Sequence, residues 1–226
     1  MSDDSLFREV DEEFRRDQAL RLWKQWGNYV VAVALAVILG VAGFKGWEYW
    51  QTYQAETAGT AFHQALSHLE QDRTDEAQTI FADLASNGPP GYASLARLQL
   101  AGILAGQGET AQAVEAYDAV ANDGSAAREF RDLARVRAGY LLAETASPED
   151  LQERLAVLER ADSPWRNAVR EIVASAHYRT GNLMEADRLM NEILADPEAP
   201  PSMRQRAQMM VQLLEPELAG QAAAVN

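Results

Sequence analysis

Three histidines, His63, His68 and His177, are the side chains of this chain best suited to metal binding or proton transfer near neutral pH. His63 and His68 are five residues apart, which places them about 140° apart around a helix, so one face cannot present both to a metal ion. His68 and His177 occupy equivalent positions in an internal repeat, where Leu104 and Leu142 stand in the other two units. This equivalence favours a packing role over metal binding.

The remaining chemistry-bearing residues do not assemble a recognisable catalytic motif. Carboxylates cluster at residues 11–13 and 215–217, and we interpret both clusters as solvated faces rather than acid–base pairs. The sequence has no HExxH motif, nucleophile elbow or glycine-rich phosphate loop, and it has no cysteine. We therefore expect no enzymatic activity, no metal and no cofactor. A hydrolase carried on a helical scaffold is the least favoured alternative.

A charge-free run of twenty residues, from Gln25 to Phe44, lies near the start of the chain. Twenty helical residues reach about 30 Å, the thickness of a hydrocarbon core. Tryptophan and tyrosine, which favour the headgroup layer, flank the run at positions 23, 26 and 29 and at positions 47, 49 and 50. We predict a transmembrane helix over residues 25–47.

Positive charges predict the orientation of this helix. The side before it carries five basic residues, whereas the first twenty or so residues after it offer only Lys45. We therefore place residues 1–24 in the cytoplasm as a short arm and the C-terminal bulk outside it. A cleaved signal peptide is disfavoured because the apolar run is too long and bulky aromatic residues stand where a small-residue cleavage site belongs. A buried core helix is disfavoured by the length of the run.

The rest of the chain is acidic and rich in helix-forming residues. Residues 46–226 hold 14 Arg, no Lys and 27 acidic residues, a net charge of −13. Such a domain is a poor partner for nucleic acid or for an anionic lipid surface. Strand-like alternation is absent and proline is sparse within the long segments, so we predict an all-α domain.

An internal repeat recurs four times with a period of 35 to 38 residues. Each unit has a small residue, then a small or apolar residue twelve positions later, a large residue after four more, and an apolar residue after three more. The members, in that order, are Ala65, Ala77, Phe81 and Leu84; Ala101, Ala113, Tyr117 and Val120; Gly139, Leu151, Leu155 and Leu158; and Ala174, Ala186, Met190 and Ile193.

This spacing predicts helical hairpins. The small residue lets two helices approach closely, and the later triplet shares one face of the second helix. Turn residues fall where the hairpins bend, at Asp72, Gly108 and Gly181. Ser147 and Ser163 each precede a proline, which predicts a capping serine before a proline at the first helical position.

The repeat resembles the tetratricopeptide repeat, with a degenerate third unit in which Leu151 replaces the small residue. The resemblance implies a solenoid of about four hairpins over residues 48–216. A helix from Pro201 to Glu215 would cap its last apolar face, and we expect a flexible tail at 217–226.

The chain has a short arm, one membrane span followed by aromatic residues, and then four repeats. This order resembles that of the single-pass ancillary subunits of the bacterial Sec translocon. That resemblance implies an inner-membrane protein with a cytoplasmic N-terminus and a periplasmic repeat domain. It further implies a non-enzymatic adaptor whose partners are Sec translocon subunits, periplasmic chaperones and secreted client chains. A membrane-anchored scaffold for envelope assembly or cell division is the alternative function.

Binding surfaces follow from the same register. The resemblance to tetratricopeptide repeats implies that the first helix of each repeat lines a groove. The residues at these positions predict a largely apolar strip, suited to an apolar or extended client segment or to a partner helix. The strip consists of Phe62, Leu66, Leu69, Leu95, Leu98, Leu133, Val136, Tyr140 and Tyr178. Simple packing between repeats is the alternative role for each of these residues. On the span, Ala32, Ala36 and Gly40 form a small-residue ridge that could dock against another membrane helix.

Overall fold

A computed structural model describes the backbone of residues 3–224 and the side chains of residues 23–220, apart from Val30 and Ala34. All regular structure within residues 3–224 is helical. This confirms the predicted all-α class. The fold comprises two compact units, Met1–Ala55 and Glu56–Asn226.

The first unit is formed by helix α1, Asp3–Glu70, which continues beyond the unit boundary. Within the described part of the chain, α1 is the one helix long and apolar enough to cross a membrane. Its large apolar side chains between Val31 and Phe44 are exposed. Aromatic rings pack in pairs along the helix, with centroids 5.8 Å apart for Trp26 and Tyr29 and 5.1 Å apart for Trp47 and Trp50. The predicted arm, residues 1–24, is helical from Asp3 onward, and residues 1 and 2 lie outside the described part.

The second unit is a series of helical hairpins. The end of α1 pairs with α2 (Thr74–Asn87), and α3 (Pro90–Gly106) pairs with α4 (Thr110–Ala121). Then α5 (Arg128–Leu142) precedes α6 (Pro148–Leu155), and α7 (Arg166–Arg179) pairs with α8 (Leu183–Ala195). Helix α9 (Pro201–Ala224) packs on α8. We call the end of α1, α3, α5 and α7 the A helices and their partners the B helices.

The repeat positions identified in the sequence form the core of this unit. All sixteen are buried. Among them, the large side chains of Phe81, Leu155 and Ile193 are fully enclosed. The core is divided into successive clusters that join one hairpin to the next. This arrangement is that of a solenoid, in which each repeat buries its apolar face against its neighbours.

The hairpin turns use the predicted residues. Asp72, Gly108 and Gly181 have positive φ angles of 57°, 81° and 82° at equivalent places in units one, two and four. In unit three the bend instead ends at Ser147, whose side chain accepts a hydrogen bond from the backbone N–H of Asp150 at 3.1 Å. This confirms the predicted serine cap. The B helix that follows has only eight residues and is extended by a 3₁₀ turn, in keeping with a degenerate repeat.

The predicted cap at Ser163 is wrong. Helix α7 begins at Arg166, and the Ser163 hydroxyl accepts a hydrogen bond from the Trp165 N–H, 3.2 Å away, within the preceding turn. The serine therefore stabilises the turn, and Pro164 lies before the helix rather than in its first turn.

Arginine side chains tie α3 and α5 to the B helix that precedes each of them. Arg97 and Arg135 both lie four residues before the small residue of their repeat. Each donates to a carbonyl in the last turn of the preceding B helix, Ala85 at 3.1 Å and Ala121 at 2.8 Å. Helix C-terminal carbonyls lack partners within their own helix, so a cation there stabilises the helix end.

Helix α9 occupies the place of the predicted capping helix. Its Leu214 is fully buried against Leu183 and Ala186 of α8. The helix continues through Pro216 to Ala224. The predicted tail, residues 217–226, therefore begins within this helix, and its last two residues lie outside the described part of the chain.

Candidate protein-binding groove

The predicted groove residues on α1 belong to the first hairpin. Phe62, Leu66 and Leu69 are half-buried and pack on the cluster around Phe81. The Phe62 ring lies 5.3 Å from that of Phe81 and 6.0 Å from that of Tyr92. The structure thus gives these three residues a packing role together with a partly exposed edge.

Tyr92 closes the surface between α1 and α3. A Cβ atom built on Gly59 of α1 would stand only 2.7 Å from the Tyr92 hydroxyl oxygen. The two helices are therefore in close approach here, and the tyrosine ring fills the space between them.

The surface between α3 and α5 is open. A pocket of about 150 Å³ lies there. Three predicted groove residues, Leu95, Leu98 and Leu133, line it together. Leu95 and Leu133 are half-buried and Leu98 is buried. The structure therefore brings this part of the predicted apolar strip to one concave site, which we call the α3/α5 pocket.

Polar groups complete the α3/α5 pocket, through Gln99, Gly102, Tyr117 and Arg137. A Cβ atom on Gly102 would meet only the Tyr117 hydroxyl, at 3.4 Å. Tyr117 reaches the pocket from α4, and burial raises the pKa of its phenol, an effect that the positive charge of Arg137 opposes. The pocket thus joins an apolar floor to a hydroxyl, an amide and a guanidinium group.

The surface between α5 and α7 is pinned by hydrogen bonds. Tyr140 donates from its hydroxyl to Oε2 of Glu171 at 2.6 Å. Arg206 of α9 donates to both oxygens of the same carboxylate, at 2.5 and 2.8 Å. Glu171 is buried, so its charge depends on these donors. Burial and the carboxylate raise the pKa of Tyr140, and the Glu171 hydrogen bond raises the pKa of Arg206.

Two further predicted groove residues pack in or against the core. Val136 is buried in the cluster that contains Leu155 and Ile172. Tyr178 is half-buried and packs on the cluster of Leu183 and Leu214. Of the nine predicted groove residues, the three in the α3/α5 pocket are those that line a concave site together.

The second predicted surface lies on α1. Ala32, Ala36 and Gly40 are all exposed. A Cβ atom built on Gly40 would have no atom within 4 Å. This face is thus uncovered in the structure, and its docking role stays a prediction.

Two of the three histidines, His68 and His177, are packing residues. His177 is buried and His68 half-buried, and the Nδ1 atom of each is enclosed without a hydrogen-bond partner. Among the residues that the structure describes, no group of three or more His, Cys, Asp or Glu side chains is placed to hold a metal ion.

The comparison with family models decides the classification. A model described as a tetratricopeptide repeat-like domain matches residues 21–211, which is most of the chain. The chain belongs to this family. Tetratricopeptide repeat-like domains are typically scaffolds for protein–protein interaction without catalytic activity. Searches of curated proteins and of solved structures each returned no significant match.

The polar members of the α3/α5 pocket of this tetratricopeptide repeat-like domain were missed from the sequence. The selection of groove residues followed apolar side chains alone, so it left out Gln99 and Arg137. A positional signal was present, because each lies four residues after a selected leucine, Leu95 or Leu133, and so shares its helix face. Tyr117 stands at a core position of the repeat, so the sequence gives no sign that its hydroxyl reaches the pocket.

Proposed function

We propose that this protein is a non-enzymatic, membrane-anchored adaptor that binds other proteins through the groove of its A helices. The observation that carries the proposal is the α3/α5 pocket, a concave site with an apolar floor and polar groups at its edge. Sites of this composition suit peptide segments, because apolar side chains supply affinity and the polar groups fix the orientation.

The apolar part of α1 supports the anchoring role. Its exposed aliphatic side chains and flanking aromatic rings match the needs of a helix in a bilayer. The distribution of basic residues supports a cytoplasmic N-terminus and an external repeat domain. We infer that in a bacterial cell the repeats lie in the periplasm, at the surface of the inner membrane.

We further propose that the adaptor works at the Sec translocon and passes emerging secreted chains to periplasmic chaperones. This step rests on the resemblance in layout to ancillary translocon subunits. An emerging chain is unfolded and exposes apolar side chains, which is the type of ligand that the pocket would accept.

In-cell photocrosslinking tests the proposal at two positions. A photoreactive residue at Gly40 samples the exposed face of the span without disturbing a neighbour. A second at Gln99 samples the α3/α5 pocket, and a control at Gln112 samples the exposed surface of the B helix α4. Captured proteins are identified by mass spectrometry.

We expect translocon subunits at Gly40, secreted chains or chaperones at Gln99, and neither at Gln112. Envelope-assembly or division proteins at Gln99, with no translocon subunit at Gly40, would replace the translocon role by that of a scaffold. Equal capture of the same chains from Gln99 and Gln112 would contradict the groove itself.

A further inference from the structure

The α3/α5 pocket carries a positive charge that the fold itself does not use. Arg137 is exposed, and within the described residues it has no hydrogen bond or ion pair. Several other arginines of the domain are paired: Arg97 pairs with Asp123 at 2.8 Å and Arg206 with Glu171 at 2.5 Å. An unpaired cation in a domain with a net charge of −13 is available to a ligand.

The size of the pocket limits its apolar occupant to one side chain. A cavity of about 150 Å³ whose apolar part is formed by three leucines can hold one benzene-sized group. Leucine, methionine and phenylalanine side chains are of this order. Because the cavity opens to solvent between two A helices, the rest of the segment can remain outside it.

The geometry of an extended chain connects the apolar side chain to the charge. Residues i and i+2 of an extended segment point to the same side, roughly 7 Å apart. If the side chain of residue i fills the apolar floor of the pocket, the side chain of residue i+2 can therefore point toward Arg137. The Gln99 amide and the Tyr117 hydroxyl are then placed to bond its backbone carbonyls.

We propose that the α3/α5 pocket recognises an internal, extended polypeptide segment in which a leucine-sized apolar residue is followed two positions later by Asp or Glu. The inference rests on the proposed function and names the class of client segment. Charge complementarity selects this occupant, since a basic residue at that position would face the guanidinium of Arg137.

Fluorescence anisotropy with the full chain in lipid nanodiscs tests the inference. The probe is a labelled nonapeptide of Ser and Thr, capped at both ends, with one Leu and a Glu two positions later. Two matched probes replace the Glu by Gln or the Leu by Ala. The protein variants are Arg137→Gln and, as a control with the same charge change, Arg160→Gln, whose side chain is exposed beside Asp162.

We expect the Leu–Glu peptide to bind about tenfold more tightly than either matched peptide, as a charge-assisted hydrogen bond and a buried side chain each predict. Arg137→Gln should reduce its affinity to that of the Leu–Gln peptide, with Arg160→Gln unchanged. Circular dichroism should show both variants folded.

Equal binding of the Leu–Glu and Leu–Gln peptides, or no effect of Arg137→Gln, would overturn the inference. Tighter binding of an uncapped peptide that ends in Leu would also overturn it, by assigning Arg137 to a chain terminus. If unfolded secreted chains still bound in these cases, the adaptor function would stand. If neither the peptides nor unfolded secreted chains bound the parent protein, both the inference and the proposed adaptor function would be wrong.

Discussion

The α3/α5 and α5/α7 junctions differ in how their polar side chains are paired. Between α3 and α5 the groove is open, and Arg137 has no partner within the described residues. Between α5 and α7 the groove is closed by Tyr140, Glu171 and Arg206, which are joined by hydrogen bonds. Adjacent repeats of one solenoid thus differ in whether the polar side chains at their junction are paired within the fold.

The difference follows from the helix that comes next. Helix α9 supplies Arg206 to Glu171 and so fixes the last junction at the end of the stack. The α3/α5 junction has only its two flanking repeats, and Gly102 adds no side chain that could fill it.

The largest effect is expected from Glu171→Ala in the closed junction. This change removes the acceptor of both Tyr140 and Arg206, and we expect a loss of about 2 kcal/mol in the free energy of unfolding. Urea unfolding of the full chain in detergent micelles, followed by far-ultraviolet circular dichroism, measures it. The control is Glu144→Ala, an exposed acid just after α5. Equal and small effects of the two changes would show that the junction is not pinned.

A glycine-to-alanine pair compares the space in the two junctions. A Cβ atom on Gly139 would meet Leu155 and Ile172 side chains at 3.0 and 3.1 Å. Both neighbours are fully buried, so we expect Gly139→Ala to destabilise the protein by about 1 kcal/mol. Gly102→Ala has room and removes a helix-interior glycine, so we expect stabilisation by about 0.5–1 kcal/mol. The same unfolding measurement applies, and effects of equal sign would contradict the comparison.

Ionisation of Tyr140 offers a pH test of the closed junction. The folded-state pKa of its phenol is raised above the ordinary value of about 10 by burial and by Glu171. The stability contributed by this shift is therefore complete below pH 10 and is lost as pH rises through the folded-state pKa. We expect Tyr140→Phe to abolish this part of the alkaline destabilisation. An unchanged dependence of stability on pH above 10 would refute the assignment.

The smallest effect is expected from Arg137→Gln in the open junction. Because this guanidinium has no partner among the described residues, we expect a change in unfolding free energy within about 0.5 kcal/mol. A loss near that of Glu171→Ala would mean that Arg137 stabilises the fold. In that event the contrast between the two junctions would disappear.

The repeat register was predictable because burial recurs at fixed spacing. Ala101, Ala113, Tyr117 and Val120 are all buried, as their equivalents are in every unit, since each hairpin must solve the same packing problem. Periodicity of this kind is visible in one sequence. The positive φ angles at Gly108 and Gly181 were predictable for the same reason.

The division between open and closed junctions was not predictable. Tyr140 and Glu171 are 31 residues apart, and Arg206 lies 35 residues beyond Glu171. Nothing periodic links these three residues, because their contact depends on how α9 caps the last repeat. Whether the pocket is open likewise depends on side chains from three helices and on the lack of a side chain at Gly102.

The domain limits remain partly predictions. The compact second unit begins at Glu56, whereas the sequence places the start of the repeat domain at residue 48. The earlier limit marks the expected edge of the membrane, which follows from the aromatic residues at 47–50. The later limit marks the first residues that pack on the hairpins.

Hydrogen–deuterium exchange of the full chain, with and without an unfolded secreted protein, tests the central claim most directly. If the groove binds clients at its open junction, the client should slow amide exchange in α3 and α5. Exchange in α7 and α9 should stay unchanged. Protection confined to α7 and α9, or to the B helices, would contradict the account.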